Sequence, residues 1–218
     1  MIESILKTII NFWHKPFNVL SQFEYISFDI FDTLIVRKCG AATNIFDIVE
    51  DKYNDSVCDT ICGFKEARID AEAKARAKSK RNEISLDDIY TELYCFSSSV
   101  RNKLQSIEIE TEIEQCVGNK PIVEIYKTLI QKGKQVFITS DMYLSIDVIE
   151  RILLKNELSG PKVLYLSSDR NATKRTGSLF KVLLSENDLT PNNIIHIGDN
   201  LKSDCLMPRK LGMHSFWL

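Results

Sequence analysis

The chain lacks an excess of charge of either sign. Its 28 Lys and Arg residues face 30 Asp and Glu, a formal net charge of −2. Such a chain exerts no general attraction on nucleic acid or an anionic membrane, so any anion must be bound locally. A membrane span is missing as well, because no segment approaches the roughly 18 to 20 apolar residues that a bilayer requires. The opening stretch MIESILKTIINFWHKPF carries no small-residue cleavage site, and Lys7 interrupts its apolar run, so it does not read as a signal peptide. No internal repeat and no low-complexity tract is visible. The six cysteines, Cys39, Cys58, Cys62, Cys95, Cys116 and Cys205, are scattered. Their one close pair, Cys58 and Cys62, stands four residues apart on an expected helix with no second pair of ligands, which reads poorly as a zinc site. Reduced and mostly buried thiols in a cytoplasmic protein are the expectation.

What is present suits a globular domain with an insertion: 218 residues, of which 44% are hydrophobic. Residues 1–24 are expected to hold an amphipathic helix with Ile2, Ile5, Leu6, Ile9 and Trp13 on one face. Lys7 and Lys15 make a thin cationic face, so packing against its own domain or a partner subunit is favoured over a membrane surface. Three short apolar runs end abruptly in polar residues and read as buried parallel strands: YISFDIF (25–31), KQVFITS (134–140) and NIIHIGD (193–199), with KVLYLSS (162–168) as a weaker fourth. Helical patterns alternate with them, PIVEIYKTLIQKG (121–133), SIDVIERILLKNEL (145–158) and GSLFKVLLSENDL (177–189), the first closing on Gly133 as a helix C-cap. The alternation predicts an α/β fold, a doubly wound parallel sheet.

Residues 39–119 break that rhythm. FKEARIDAEAKARAKSK (64–80), SLDDIYTELYCF (85–96, with Ser85 as N-cap) and KLQSIEIETEIEQC (103–116) are helix-forming, which predicts an inserted all-helical domain lying over the strand ends. The core is then 25–38 together with 120–218. In such sheets a ligand sits beyond the carboxyl ends of the strands, where Asp29, Thr139, Ser140, Asp141 and Asp199 fall. Taken singly, each signal is ordinary: an Asp after a strand is usually a turn, a Gly-Asp pair likewise, and a lone Lys is usually solvated.

Four separated pieces, in order, resemble the four motifs of the haloacid dehalogenase (HAD) superfamily of phosphatases and dehalogenases. The pieces are Asp29-Ile30-Phe31-Asp32-Thr33, the VFITS strand with Thr139, Lys174 in NATKRTGSLF, and IGDNLKSD with Gly198, Asp199 and Asp204. The resemblance spans most of residues 25–218 and implies a Rossmann-like core with a helical cap. It also implies a Mg²⁺-dependent phosphatase: Asp29 as nucleophile, Asp29, the Phe31 carbonyl and Asp199 on the metal, and Asp204 supporting them. Carboxylate attack on phosphorus splits one hard hydrolysis into two easier steps, and it needs positive charge, here Lys174 and a divalent cation. Magnesium prefers a few hard oxygens and keeps waters, which suits this incomplete cage. Thr139, the Ser140 backbone N–H and Lys174 would hold the phosphoryl oxygens.

The chain departs from that pattern at one place. Phosphatases of the superfamily usually carry a second Asp two residues after the nucleophile as general acid and base, and here that residue is Phe31. Asp32, one place later, is a candidate catalytic substitute. Asp141 or a substrate group is another, and a substrate that needs no acid, as in dehalogenation, is the third. The fuller set of motifs, with SFDIFDTL, ITSDMYLS and HIGDN, is similar to a subgroup found with bacterial capsule and lipopolysaccharide biosynthesis proteins, which implies a phosphorylated sugar or glycan precursor as substrate. A hydrolytic dehalogenase and a catalytically weak scaffold module are the rivals. Arg68 and Arg76 read as a solvated helix face, pairing with Glu72, in preference to substrate contacts. His196 reads as a satisfied core histidine. Tyr143 reads equally as a substrate contact or as packing against the insert.

Overall fold

The computed structural model describes residues 16–218, so the expected face of Ile2 to Trp13 lies outside the described residues. After a helical turn over 16–20 (α1), the chain enters a sheet through β1 (Tyr25–Phe28). An antiparallel pair, β2 (Ile35–Arg37) with β3 (Cys116–Gly118), encloses α2 (Ile45–Asp55), α3 (Phe64–Lys78), α4 (Leu86–Thr91) and α5 (Ser98–Gln115). The rest alternates: α6 (Lys120–Gln131), β4 (Gln135–Ser140), α7 (Ile146–Lys155), β5 (Val163–Leu166), the single turn α8 (Ser167–Arg170), α9 (Ser178–Glu186), β6 (Ile194–Gly198), a π-helical turn (Leu201–Leu206), α10 (Met207–Lys210) and β7 (His214–Trp217).

The sheet runs β5-β4-β1-β6-β7 with every pair parallel, so β1 is central and hydrogen-bonds to β4 on one side and β6 on the other. Parallel strands buried on both faces need apolar residues at consecutive positions, which is why these runs do not alternate. Ile26, Phe28, Ile138 and Ile197 join one apolar cluster with α6 and α7, whereas Phe137 and Tyr165 join a second with Leu179, Phe180 and Leu183 of α9. Helix α6 ends as its sequence predicts: Gly133 takes φ 77°, and Lys134 N–H returns to the Leu129 carbonyl. Ser85 caps α4 in a capping box with Asp88. Among the described residues no helix is long and apolar enough to cross a membrane.

Several elements differ from the sequence reading. The first strand stops at Phe28 rather than running to Phe31, because Ile30 turns to accept from Thr33 and Ile35, and Asp32 sits in the left-handed region at φ 57°. This tight reversal ends the strand, leaving Asp29 as the last residue tied to the sheet and Asp32 in the turn beyond it. Helix α4 is half its expected length, while α5 begins earlier because Ser97 caps it through Val100 N–H. The pairs β2 and β3 are three residues each, too short for a pattern, and α2 and β7 were not anticipated.

Cys58 and Cys62 lie in the loop between α2 and α3, not on a helix, and both are exposed together with Cys95. Only Cys116 and Cys205 are buried, so the expectation of mostly buried thiols is corrected: Val57 and Ile61 pack against the core where those loop thiols do not.

Arg68 is the largest correction. It is fully buried, not solvated, and its guanidinium forms a fork on Glu108 of α5 with Nε and Nη2 at 2.9 and 2.8 Å. Tyr90 donates to the same carboxylate at 2.7 Å, and the guanidinium lies over the rings of Phe46 and Tyr143. The Glu72 contact is the longest of the set at 3.3 Å. Arg37 makes a second fork, on Glu112 one turn along α5, at 2.9 and 2.7 Å.

Candidate active site

Three strand ends and two loops meet at the carboxyl edge beside β1. Asp29 follows β1 and is still tied to the sheet by its N–H to the Ile197 carbonyl at 2.9 Å. Lys174, in the loop before α9, is 3% exposed and places Nζ 2.7 Å from Asp29 Oδ1 and 2.7 Å from Asp204 Oδ1. Asp204 projects from the π-helical turn after β6, an irregular turn of the kind that recurs at functional sites. Its other oxygen accepts Asn200 N–H at 3.0 Å. A Cβ on residue 198 would stand 2.4 Å from that oxygen, so Gly198 is required for Asp204 to approach the strand end. Asp199, next in the chain, is exposed, and one carboxylate oxygen each from Asp29, Asp199 and Asp204 lie within 4.8 Å of one another.

The electrostatics follow from three carboxylates meeting one ammonium in a largely buried place. Burial pushes Asp29 above the usual carboxylate range, Lys174 opposing and the charge of Asp204 adding to the rise. Burial also works against the charge of Asp204, but the His196 hydrogen bond and Lys174 outweigh it and hold this carboxyl well below the usual range. For Lys174 burial is likewise outweighed, by Asp29 and Asp204, so it stays charged. Asp199 is raised by burial and then by Asp204. An excess of negative charge remains, and the hard oxygen donors fit a divalent cation.

Beneath the cavity runs a buried string of polar groups. His196 is neutral, lowered chiefly by burial, and donates Nε2–H to Asp204 at 3.3 Å. Its Nδ1 therefore accepts from Ser27 at 2.8 Å, and Ser27 in turn accepts from the Thr139 hydroxyl at 2.8 Å. Thr139 is thus fully buried with its proton directed into the core, whereas Ser140 lines the cavity with Asp29, Phe31, Asp32, Asp141 and Asp199. That cavity measures about 400 Å³. Asp32 is exposed in its wall. Phe31 is half-buried under the guanidinium of Arg37, 4.3 Å from the ring centroid.

Two features escaped the sequence. Asp141 accepts the backbone N–H of Lys174 at 2.6 Å and of Arg175 at 3.2 Å, which anchors the loop that delivers the lysine. The Ser27–His196 link joins residues 169 apart, and no local pattern announces it. The satisfied core reading of His196 agrees with its place here. Tyr143 packs on Arg68 and also lines a second cavity beside the first.

No family model matches the sequence, and no curated protein matches it. Solved structures do. A Bacillus subtilis protein described as a HAD-hydrolase, YfnB, bound to magnesium, aligns with a TM-score of 0.62 at 14% identity, covering 90% of this chain and 88% of its own. The chain has the haloacid dehalogenase fold. A 2-haloacid dehalogenase from Pseudomonas syringae pv. Tomato aligns at 0.64 and 14% identity, covering 89% of this chain and 86% of that one. A HAD phosphatase from Thermococcus onnurineus aligns at 0.61 and 15%, covering 89% and 85%. Phosphatase and dehalogenase thus share this HAD fold about equally well with the chain, and the likenesses carry no support for a capsule or lipopolysaccharide context.

Proposed function

We propose that this chain is a hydrolase of small phosphate monoesters, with Asp29 as nucleophile and residues 39–119 as a cap over the strand ends. The observation that carries this reading is the Lys174 ammonium held between Asp29 and Asp204 at 2.7 Å each, with Asp199 completing an acidic cluster at the edge of a cavity. Asp29 attacks phosphorus, and Lys174 both orients the nucleophile and offsets the charge that gathers on the phosphoryl oxygens. Ser140, at the cavity wall, is better placed than the core-bound Thr139 to donate to those oxygens. Asp29, Asp199 and the Phe31 carbonyl would hold a Mg²⁺ ion, with Asp204 supporting them. When bound, the cation draws the anionic substrate to an anionic nucleophile.

Dehalogenation is the second reading, and Phe31 favours it, since displacement of halide needs no protonated leaving group. The surplus of carboxylate over ammonium weighs for phosphate, because an uncharged halide carbon needs no cation. The deciding experiment is a release screen over sugar, polyol, aminoalcohol and aryl phosphates with and without Mg²⁺, and over 2-haloacids without metal, with Asp29→Asn as control. Phosphate release that needs Mg²⁺ and Asp29 is the expected result. Chloride release without metal would replace this reading by the second, and no turnover by either would leave a binding module.

A further inference from the structure

Beside the nucleophile cavity lies a second one of about 540 Å³, and Phe31 and Asp141 line both. A group leaving phosphorus on that side enters this second space, which is large enough for one ring system. Its wall is Phe31, Phe46, Ile69, Met142 and Tyr143. Each charged side chain there is already engaged: Arg37 with Glu112, Glu72 with Arg68 and Arg76, and Arg76 also with Glu83. Each oxygen of Asp141 accepts one backbone amide, from Lys174 or Arg175. Beside these groups the described lining adds only the hydroxyls of Thr43 and Tyr143, and the run of aromatic and aliphatic side chains suits a flat apolar group better than a polyhydroxylated one. Burial pushes the Tyr143 phenol well above its ordinary value, and the Asp141 carboxyl, also raised by burial, is held on the backbone amides of Lys174 and Arg175.

Resting on the phosphatase reading, we propose that the substrate is an aryl phosphate: an ester whose leaving group is an apolar, weakly basic phenolic oxygen seated against Phe31. Asp29 Oδ forms a bond to phosphorus as the bond from phosphorus to the aryl oxygen breaks, and that oxygen leaves with the electron pair as phenolate. No enzyme proton is consumed. Water then attacks phosphorus, the aspartyl oxygen departs as the Asp29 carboxylate, and the proton released from water neutralises the phenolate in solution. An acid missing from the first step is also a base missing from the second, so the phosphoenzyme accumulates.

The test is kcat/KM of the full chain with Mg²⁺ on phenyl phosphates of graded acidity, butyl phosphate and a hexose 6-phosphate. Aryl esters are expected to exceed the alkyl and hexose esters by about 10²–10⁴-fold, rising with the acidity of the phenol, with a burst of one phenol per enzyme. Phe31→Asp, which inserts a carboxyl at the leaving oxygen, is expected to raise butyl phosphate turnover by about 10-fold or more and flatten that dependence. Ile69→Glu, an exposed change in the wall of the second cavity, is expected to raise KM for naphthyl phosphate by about 10-fold while inhibition by inorganic phosphate is unchanged. Comparable rates on hexose and aryl esters would overturn the inference and leave the phosphatase reading intact. So would Asp141→Asn selectively losing the alkyl esters, which would mark Asp141 as the acid. Phosphate release equal in Asp29→Asn, or none from any ester, would overturn both.

Discussion

Among the described residues, two largely buried groups of charge invite comparison, and they are built to opposite ends. Around α5 of the insert, Arg68 of α3 and Arg37 of the core strand β2 each meet a carboxylate in a two-pronged fork, with aromatic rings over both guanidinium groups. Charges there are matched. At the strand ends, Asp29 and Asp204 share the ammonium of Lys174 while Asp199 lies beside them without such a partner among the described residues, and the cluster faces a cavity. A matched, closed set stabilises one arrangement of helices; an unmatched, open set holds a nucleophile at the ready and invites a cation. Burial of charge by itself therefore says nothing about function, and the sign left over does.

The comparison can be broken first at its most demanding point. Asp29→Asn should lower phosphate release by about 10⁴-fold or more in steady-state assays, whereas no single change in the insert's cluster should act through chemistry. Arg68→Ala should cost about 3–5 kcal/mol in denaturant unfolding, because it leaves Glu108 buried and unpaired. The double change Arg68→Met with Glu108→Leu should recover most of that loss, which a charge used in function would not allow.

A divalent cation should stabilise the fold by about 2.7 kcal/mol at a hundredfold excess over its Kd, read as a rise in Tm. Asp199→Asn should remove most of that rise, and changes at Arg68 should leave it. Acidity separates members of the same cluster. Asp29 is raised in the folded chain, so its ionisation opposes folding above that value and the penalty fades as pH falls toward the unfolded value of about 3.9. Asp204 is lowered, so its contribution is present above about 3.9 and lost as pH falls toward the folded value. Without metal, Asp29→Asn should therefore be more stable than the parent at pH 7 and Asp204→Asn less so, both differences shrinking on acidification. The smallest effect is expected at Asp32. Asp32→Gly keeps the left-handed backbone and should change kcat by less than about 10-fold, well short of a general-acid loss.

The apolar runs around Ile26, Ile138 and Ile197 were legible because buried parallel strands and the amphipathic helices between them are local patterns, although the first strand stops at Phe28, short of its expected end. The four motif segments were singled out by their resemblance to a known family, since each taken alone is an ordinary strand-end or turn signal. Arg68 was misread because its only partner visible along the chain is Glu72 at i+4, while the carboxylate that holds it lies 40 residues away. Thr139 was pointed at the phosphate by its resemblance to a family motif; that its hydroxyl joins Ser27, His196 and Asp204 in one buried string of hydrogen bonds depends on three strands lying side by side.

Local pattern was enough to announce the parallel sheet and the run of helices inserted after its first strand, since propensity and burial act over a few residues. Which charges cancel, which stay uncompensated, and whether the space beside Phe31 is polar or apolar arose only when distant segments packed together. Those properties depend on distances of about 3 Å between groups that the chain keeps far apart, and electrostatic energy in a buried site turns on such distances.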